Sequence, residues 1–204
     1  MRKTWIFIFA ATVMTVLGVP TSHPQGAGTI TGTVKVVGAR TSADVIVYVE
    51  APGKNPPAPQ KHAVMDQMNQ TFIPHVLPIV KGTAVDFPNS DKVRHNVYSP
   101  AGSAKPFNLG TYPAGVTKTM EFEKPGVVPL LCNVHTEMSA FILVLENSYF
   151  AVTDRTGAFT IKGVPPGKYT LKTWHERVAS ATQEVVVEAG KTAQVNLEMK
   201  GKKQ

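Results

Sequence analysis

The chain has 204 residues with a formal charge of +7, 43% hydrophobic and 17% charged side chains, 16 glycines, 16 prolines and a single cysteine. That length admits one large β domain or two small ones with cores of their own, and the Gly/Pro content with short alternating apolar runs excludes a helical bundle. A lone cysteine excludes a fold stapled by internal disulfides, and the charge excess is confined to the flanks, since residues 60–146 are balanced between basic and acidic side chains.

At the amino terminus Met1-Arg2-Lys3 is a short positive segment, followed by an almost uninterrupted apolar run from Trp5 to Val19 and then the polar stretch Pro20-Thr21-Ser22-His23-Pro24-Gln25-Gly26. This is the pattern of a secretory leader over residues 1–25, with cleavage near residues 18 to 27. The run of about 15 residues is short for a bilayer span; a retained anchor is the alternative, because no clear small-x-small cleavage site is present. The mature chain is therefore expected in the periplasm or outside the cell, without a stable membrane span and without nucleic acid as a partner. An unpaired cysteine in such an oxidising compartment is odd, and a metal thiolate explains it.

The remaining chain reads as all-β. Strands are expected at Thr29 to Val37, Val45 to Glu50, Thr83 to Pro88, His95 to Ser99, Lys118 to Phe122, Gly126 to Leu131 and Phe141 to Glu146. A second group comprises Phe150 to Thr153, Ala158 to Lys162, Gly167 to Trp174, Thr182 to Val187 and Thr192 to Met199. Asp154-Arg155-Thr156-Gly157 and Pro165-Pro166-Gly167 are turns. The stretch from Ala51 to Pro59 is too rich in proline for a central strand, and it separates the first two strands from the rest of the chain.

The chemistry is concentrated in Leu130-Leu131-Cys132-Asn133-Val134-His135-Thr136-Glu137-Met138, a Cys-x2-His-x2-Met loop between two apolar strands. Upstream, in Asp91-Lys92-Val93-Arg94-His95-Asn96-Val97, His95 opens another strand. A soft thiolate and two imidazoles make a trigonal plane that accommodates both Cu(I) and Cu(II), with a weak axial thioether tuning the potential. Strands that fix His95 and a short loop that supplies the other three let the protein decide the geometry. Structural zinc sites favour several thiolates and seldom use methionine. The expected metal ligands are thus His95, Cys132, His135 and Met138, with one copper per chain.

Phe72-Ile73-Pro74, Val80-Lys81-Gly82-Thr83, Val85-Asp86-Phe87-Pro88-Asn89, His95-Asn96-Val97 and the Cys132 loop together resemble the plastocyanin/azurin family of cupredoxins, with an amicyanin-like loop spacing. The resemblance covers about residues 62 to 146 and implies a Greek-key β-sandwich in which His95, Cys132, His135 and Met138 fall on the four copper positions. It also implies that Asn96 orients the loop by a hydrogen bond and that the backbone near Asn133 donates to the cysteine sulfur.

The carboxy-terminal part, Val152-Thr153-Asp154, Gly157-Ala158-Phe159 and Val164-Pro165-Pro166-Gly167-Lys168-Tyr169-Thr170-Leu171, resembles a carboxypeptidase-regulatory or transthyretin-like β-sandwich. Such domains open with Gly-x-Val and Ala-x-Val-x-Val strands, here matched far upstream by Gly32-Thr33-Val34 and Ala43-Asp44-Val45-Ile46-Val47. The resemblance implies that residues 26–58 and 147–204 form one sandwich into which a copper domain, residues 59–146, is inserted. Two consecutive domains are the alternative. The two-part chain also resembles bacterial methylamine-utilisation or plastocyanin-like proteins.

His62, His75 and His175 are scattered, and a second metal site built from them is a lesser expectation. Met65, Met68, Met120 and Met199 are expected to pack in cores, as are Tyr169 and Trp174. With no second Cys/His set, no HExxH and no nucleophile–base pair, the chain is not expected to be an enzyme. The reading is a one-electron carrier whose redox partner, acidic if the basic flanks steer it, docks at the edge of His135 among Val134 and Met138. A copper-delivery module, or a docking or adhesion module with a structural copper, is the alternative.

Overall fold

A computed structural model describes residues 26–50 and 59–201. The expected leader, nearly all of the proline-rich stretch and the last three residues of the basic tail lie outside the described residues. Within them there is no helix, and none therefore long and apolar enough to cross a membrane.

The strands are β1 (Gly28–Val36), β2 (Ile46–Glu50), β3 (Ala63–Val64), β4 (Asp66–Met68), β5 (Thr71–Ile73), β6 (Val76–Val80), β7 (Thr83–Pro88), β8 (His95–Ser99) and β9 (Phe107–Tyr112). They continue with β10 (Thr117–Phe122), β11 (Gly126–Leu131), β12 (Ser139–Leu145), β13 (Phe150–Val152), β14 (Ala158–Val164), β15 (Gly167–Trp174), β16 (Thr182–Val187) and β17 (Thr192–Met199).

The two ends of the chain share sheets. β1 runs parallel to β17, from Thr29↔Thr192 to Val36↔Met199, and antiparallel to β14. β2 lies between β13 and β15 in the order β13-β2-β15-β16. These two sheets enclose a core that includes Ile30, Val34, Val47, Ile161, Leu171 and Leu197. We call this the outer sandwich. Gly32 allows its close approach: a Cβ there would lie 1.6 Å from the Val195 carbonyl oxygen.

Residues between β2 and β13 form an inner sandwich of β10-β7-β3 against β6-β12-β11-β8-β9, with the β4–β5 hairpin touching β7 and β12. Its core contains Met65, Phe72, Phe87, Phe122, Leu130 and Ile142. Two of its longer strands are absent from the sequence-based expectation, for local reasons. β6 carries Pro78, tolerated because β6 is an edge strand, and β9 contains Gly110 at φ +69° opposite an irregularity in β8. Pro129 in β11 has no N–H for a ladder, and β11 meets β8 only at Leu131↔Tyr98 while pairing with β12 along its whole length.

The sandwiches are stacked face to face, so the molecule has four layers. β2 and β12 are buried on both faces: Val47 and Val49, with Val45 just before β2, belong to the outer core and Ala140, Ile142 and Val144 to the inner one, while Ile46, Leu143 and Leu145 meet in the joint with Val76. Tyr48, Phe141 and Trp174 pack around them. Each fully buried aliphatic side chain of this kind contributes about 1.5–3 kcal/mol relative to exposure, so the joint is a third, smaller core. A cleft of about 450 Å³ opens beside it, lined by Tyr48, Val127, Leu143, Leu145 and Trp174. Met199 belongs to the outer core, with Tyr169 packed against it; Met65 belongs to the inner core, with Met120 packed against that. Met68 joins neither: it sits at the β4–β5 turn, 39% exposed.

Candidate metal centre

The site lies where β8 begins and β11 ends. His95 is the first residue of β8 and fully buried, and Cys132 directly follows β11 and is also buried. The loop then turns to bring His135 back over them, with the Met138 amide donating to the His135 carbonyl at 3.1 Å. One ligand atom from each of His95, Cys132 and His135 lies within 4.8 Å of the others, and among the described residues no other such group of His, Cys, Asp or Glu is formed. The two Nδ1 atoms stand 3.1 Å apart, with ring centroids at 4.8 Å.

Two imidazole nitrogens at that distance share one proton or give both lone pairs to a cation. The other side of His95 decides which atom is free. Its Nε2 donates to the Asp91 carboxylate at 2.9 Å, which leaves Nδ1 as the ring nitrogen that faces His135 and Cys132. Asp91 is itself pinned: it accepts from the Gln70 and Lys92 amides, each at 2.7 Å. The Gln70 amide, the His95 ring and the Lys92 amide hold its carboxyl at about 2, below the usual 3.8. A carboxylate lowered in this way contributes fully above the ordinary range and is lost only as the pH falls towards about 2, so its hold on His95 is intact at neutral pH. Asn89, buried, shapes the same turn, donating to the Val93 and Tyr112 carbonyls and accepting from the Asp91 amide.

On the sulfur side, the Asn96 amide donates to Cys132 Sγ at 3.5 Å. The expected donor near Asn133 is engaged elsewhere: the Asn133 amide reaches Asn96 Oδ1 at 3.4 Å, and Asn96 Nδ2 donates to Asn108. One asparagine thus serves the sulfur with its backbone and the loop with its side chain.

Met138 is buried in the same apolar core as Cys132, 1% exposed. Contrary to expectation, it is therefore not exposed around His135; Val134 is, at 48%, next to the half-buried His135. The three outlying histidines do not assemble. His62 pairs with Asp86 at 2.9 Å, His75 with Glu176 at 3.2 Å, and His175 Nδ1 accepts from the Arg177 amide. Asp91 is the site residue that sequence reasoning passes over, although its place four residues before His95 is a usable signal.

The donor set fits a soft-to-borderline ion such as copper: one thiolate, two imidazoles whose free nitrogens converge, and a hydrogen bond to the sulfur that lowers its charge density. Removing the carboxylate that orients His95, by Asp91→Ala, is expected to weaken copper binding by about 10- to 100-fold. A competition titration against a chelator of known affinity reads this directly; unchanged affinity would remove Asp91 from the centre.

Comparison with known proteins adds partial likenesses. Residues 126–195, about a third of the chain, match the family described as polysaccharide lyase family 4, domain II. No curated protein matches the chain. Among solved structures it is similar to a purple cupredoxin from Nitrosopumilus maritimus at 26% identity and a TM-score of 0.37, covering 41% of this chain and 99% of that one. It is similar also to a copper-containing nitrite reductase from Thermus scotoductus SA-01 at 24% identity and a TM-score of 0.41, covering 56% of this chain and 28% of that one. A reduced amicyanin variant matches at 16% identity and a TM-score of 0.40, covering 48% and 98% respectively.

Proposed function

We propose that this chain is a mononuclear copper protein of the cupredoxin type that carries single electrons between partners outside the cytoplasm. The convergence of His95 Nδ1, His135 Nδ1 and Cys132 Sγ, with His95 Nε2 committed to Asp91, is the observation that supports it. Copper bound there supplies a one-electron Cu(I)/Cu(II) couple.

The chain's own residues do the rest. His95 and Cys132 are held from below by strands and by Asp91 and Asn96, so little needs to move when the charge of the site changes. Met138, buried in the same core as Cys132, would supply a thioether donor to the ion. His135 and Val134 present a small partly apolar edge to a redox partner, and no substrate is transformed. Residues 26–59 and 147–204 carry the basic excess that remains once the leader is removed, and the outer sandwich, read as carboxypeptidase-regulatory-like, serves as spacer or docking surface for an acidic partner. Export by the amino-terminal leader places the protein in the periplasm or outside the cell.

The test is the visible and electron paramagnetic resonance spectrum of the mature protein with one equivalent of Cu(II), followed by ascorbate reduction and reoxidation. Intense visible absorption with narrow hyperfine splitting, reversibly bleached, is the expected result. A colourless, ordinary tetragonal signal would favour copper handling without electron transfer. Met138→Gln should keep the copper and lower the potential, because an oxygen donor favours Cu(II). A potential and spectrum both unchanged would remove Met138 from the donor set.

A further inference from the structure

One side chain of the inner sandwich touches both the residue that follows the metal loop and the outer sandwich. His75 lies between β5 and β6, and its own carbonyl accepts from the Phe141 amide at 2.9 Å. Its Nδ1 donates to the Ser139 carbonyl at 3.2 Å, and its Nε2 stands 3.2 Å from Glu176 Oε1. Both partners are acceptors, so a ring N–H aimed at either one fixes the plane of the ring. Glu176 belongs to the outer sandwich, just beyond β15; it is 19% exposed, and the same oxygen also accepts from Arg177 Nε at 3.3 Å. Phe141 lies edge-on to His75, with Trp174 packed on its other side at a centroid distance of 5.3 Å.

Ser139 is the residue directly after Met138. The loop's first end is fixed by Cys132 at the close of β11, and its last end by the pairing of Ser139 with Leu131 and by this histidine. We propose that Glu176 and His75 are positioning residues for the metal loop: through the chain Glu176–His75–Ser139 the outer sandwich holds the loop's carboxy-terminal end and sets where Met138 sits. The outer sandwich then has a task at the site itself. Its electrochemical consequence rests on the copper-carrier reading; the mechanical one does not.

A solvent-exposed ion pair is worth little; this one is part-buried at a packed joint, with His75 34% and Glu176 19% exposed, and its carboxylate acceptor makes the bond charge-assisted. Without Glu176 the ring loses one of two acceptors and is free to turn from Ser139. A site of this kind tolerates displacements of only about 0.5 Å.

The test uses the full chain. In metal-free protein, amide hydrogen exchange at Met138 and Ala140 is compared among wild type, Glu176→Ala, Glu176→Gln and the distant control Glu188→Ala. Glu176→Ala should speed exchange by about ten-fold, Glu176→Gln, which still offers His75 an acceptor, by less, and Glu188→Ala not at all. His75→Leu, which keeps the packing but loses both hydrogen bonds, should reproduce Glu176→Ala and is read in its place if that variant fails to fold. With copper bound, Glu176→Ala should raise the potential as the thioether recedes.

Equal exchange rates in wild type and Glu176→Ala overturn the proposal, whatever the copper spectrum. Faster exchange in a protein that never develops the intense absorption keeps the positioning role and sinks the carrier reading instead.

Discussion

Cys132→Ser abolishes the intense visible absorption of the copper-loaded protein while leaving its β fold in place. The chain has one thiol, and the absorption expected of the site is a thiolate-to-copper transition that a hydroxyl, un-ionised at neutral pH, cannot supply. The fold should survive because serine is close in volume, and the buried oxygen inherits a donor from the Asn96 amide that now serves the sulfur. The cost then stays within about 1–2 kcal/mol, read as a modest shift of the urea midpoint with unchanged far-ultraviolet circular dichroism. The two histidines can still hold Cu(II) weakly, with an ordinary paramagnetic signal. Persistent colour would remove Cys132 from the centre and with it the proposed function.

Gly32→Ala carries the largest expected cost in stability, about 3 kcal/mol or more. Strand glycines normally tolerate alanine, but here the added Cβ would fall 1.6 Å from the Val195 carbonyl oxygen, 2.7 Å from its carbon and 3.2 Å from its nitrogen. Backbone in a paired strand cannot step aside as a side chain can, so β1 must separate from β17 or the ladder must bend. Gly38, by contrast, has nothing within 4 Å of the same position; only its φ of +83° opposes a side chain, a penalty of about 1–2 kcal/mol. Urea unfolding of the two variants separates these cases. A loss below about 1 kcal/mol for Gly32→Ala would mean that β1 is not seated on β17 in this register, and the sharing of sheets by the two chain ends would fall with it.

Much of the fold and most of the site are legible in the residues alone because the signals are local. The Cys132–Met138 loop places three donor types within reach through chain connectivity, and His95 opens a strand whose pattern is plain. Val45 to Val49 and Phe141 to Leu145 are apolar without alternation, the mark of strands covered on both faces, and both lie against the joint. The features that escape such a reading depend on contacts distant in sequence. Asp91 reaches His95 because Gln70 and Asn89 shape its turn. The division of labour within Asn96, backbone to sulfur and side chain to loop, comes from the position of β8 beside the loop rather than from residue type. By type the outlying histidines are metal ligands, yet each has a partner of its own, and only a folded chain brings Glu176 to His75 across 101 residues. β6 and β9 are hidden by Pro78 and Gly110, breakers that an edge position and an irregular register absorb.

The nesting of one sandwich inside the other also sets an order of events during folding. β1 and β2 are made first, but their partners β14, β15 and β17 are made last. Closing a flexible loop of about a hundred residues carries an entropic cost, and unpaired strand edges are aggregation-prone while they wait. Phe150 pairs with Tyr48, so a completed inner sandwich delivers the two halves of the outer one side by side and turns a long search into a short one. In a chain delivered amino terminus first, then, the metal loop arrives before Glu176, and the protein is finished only when its final strand lies down beside its first.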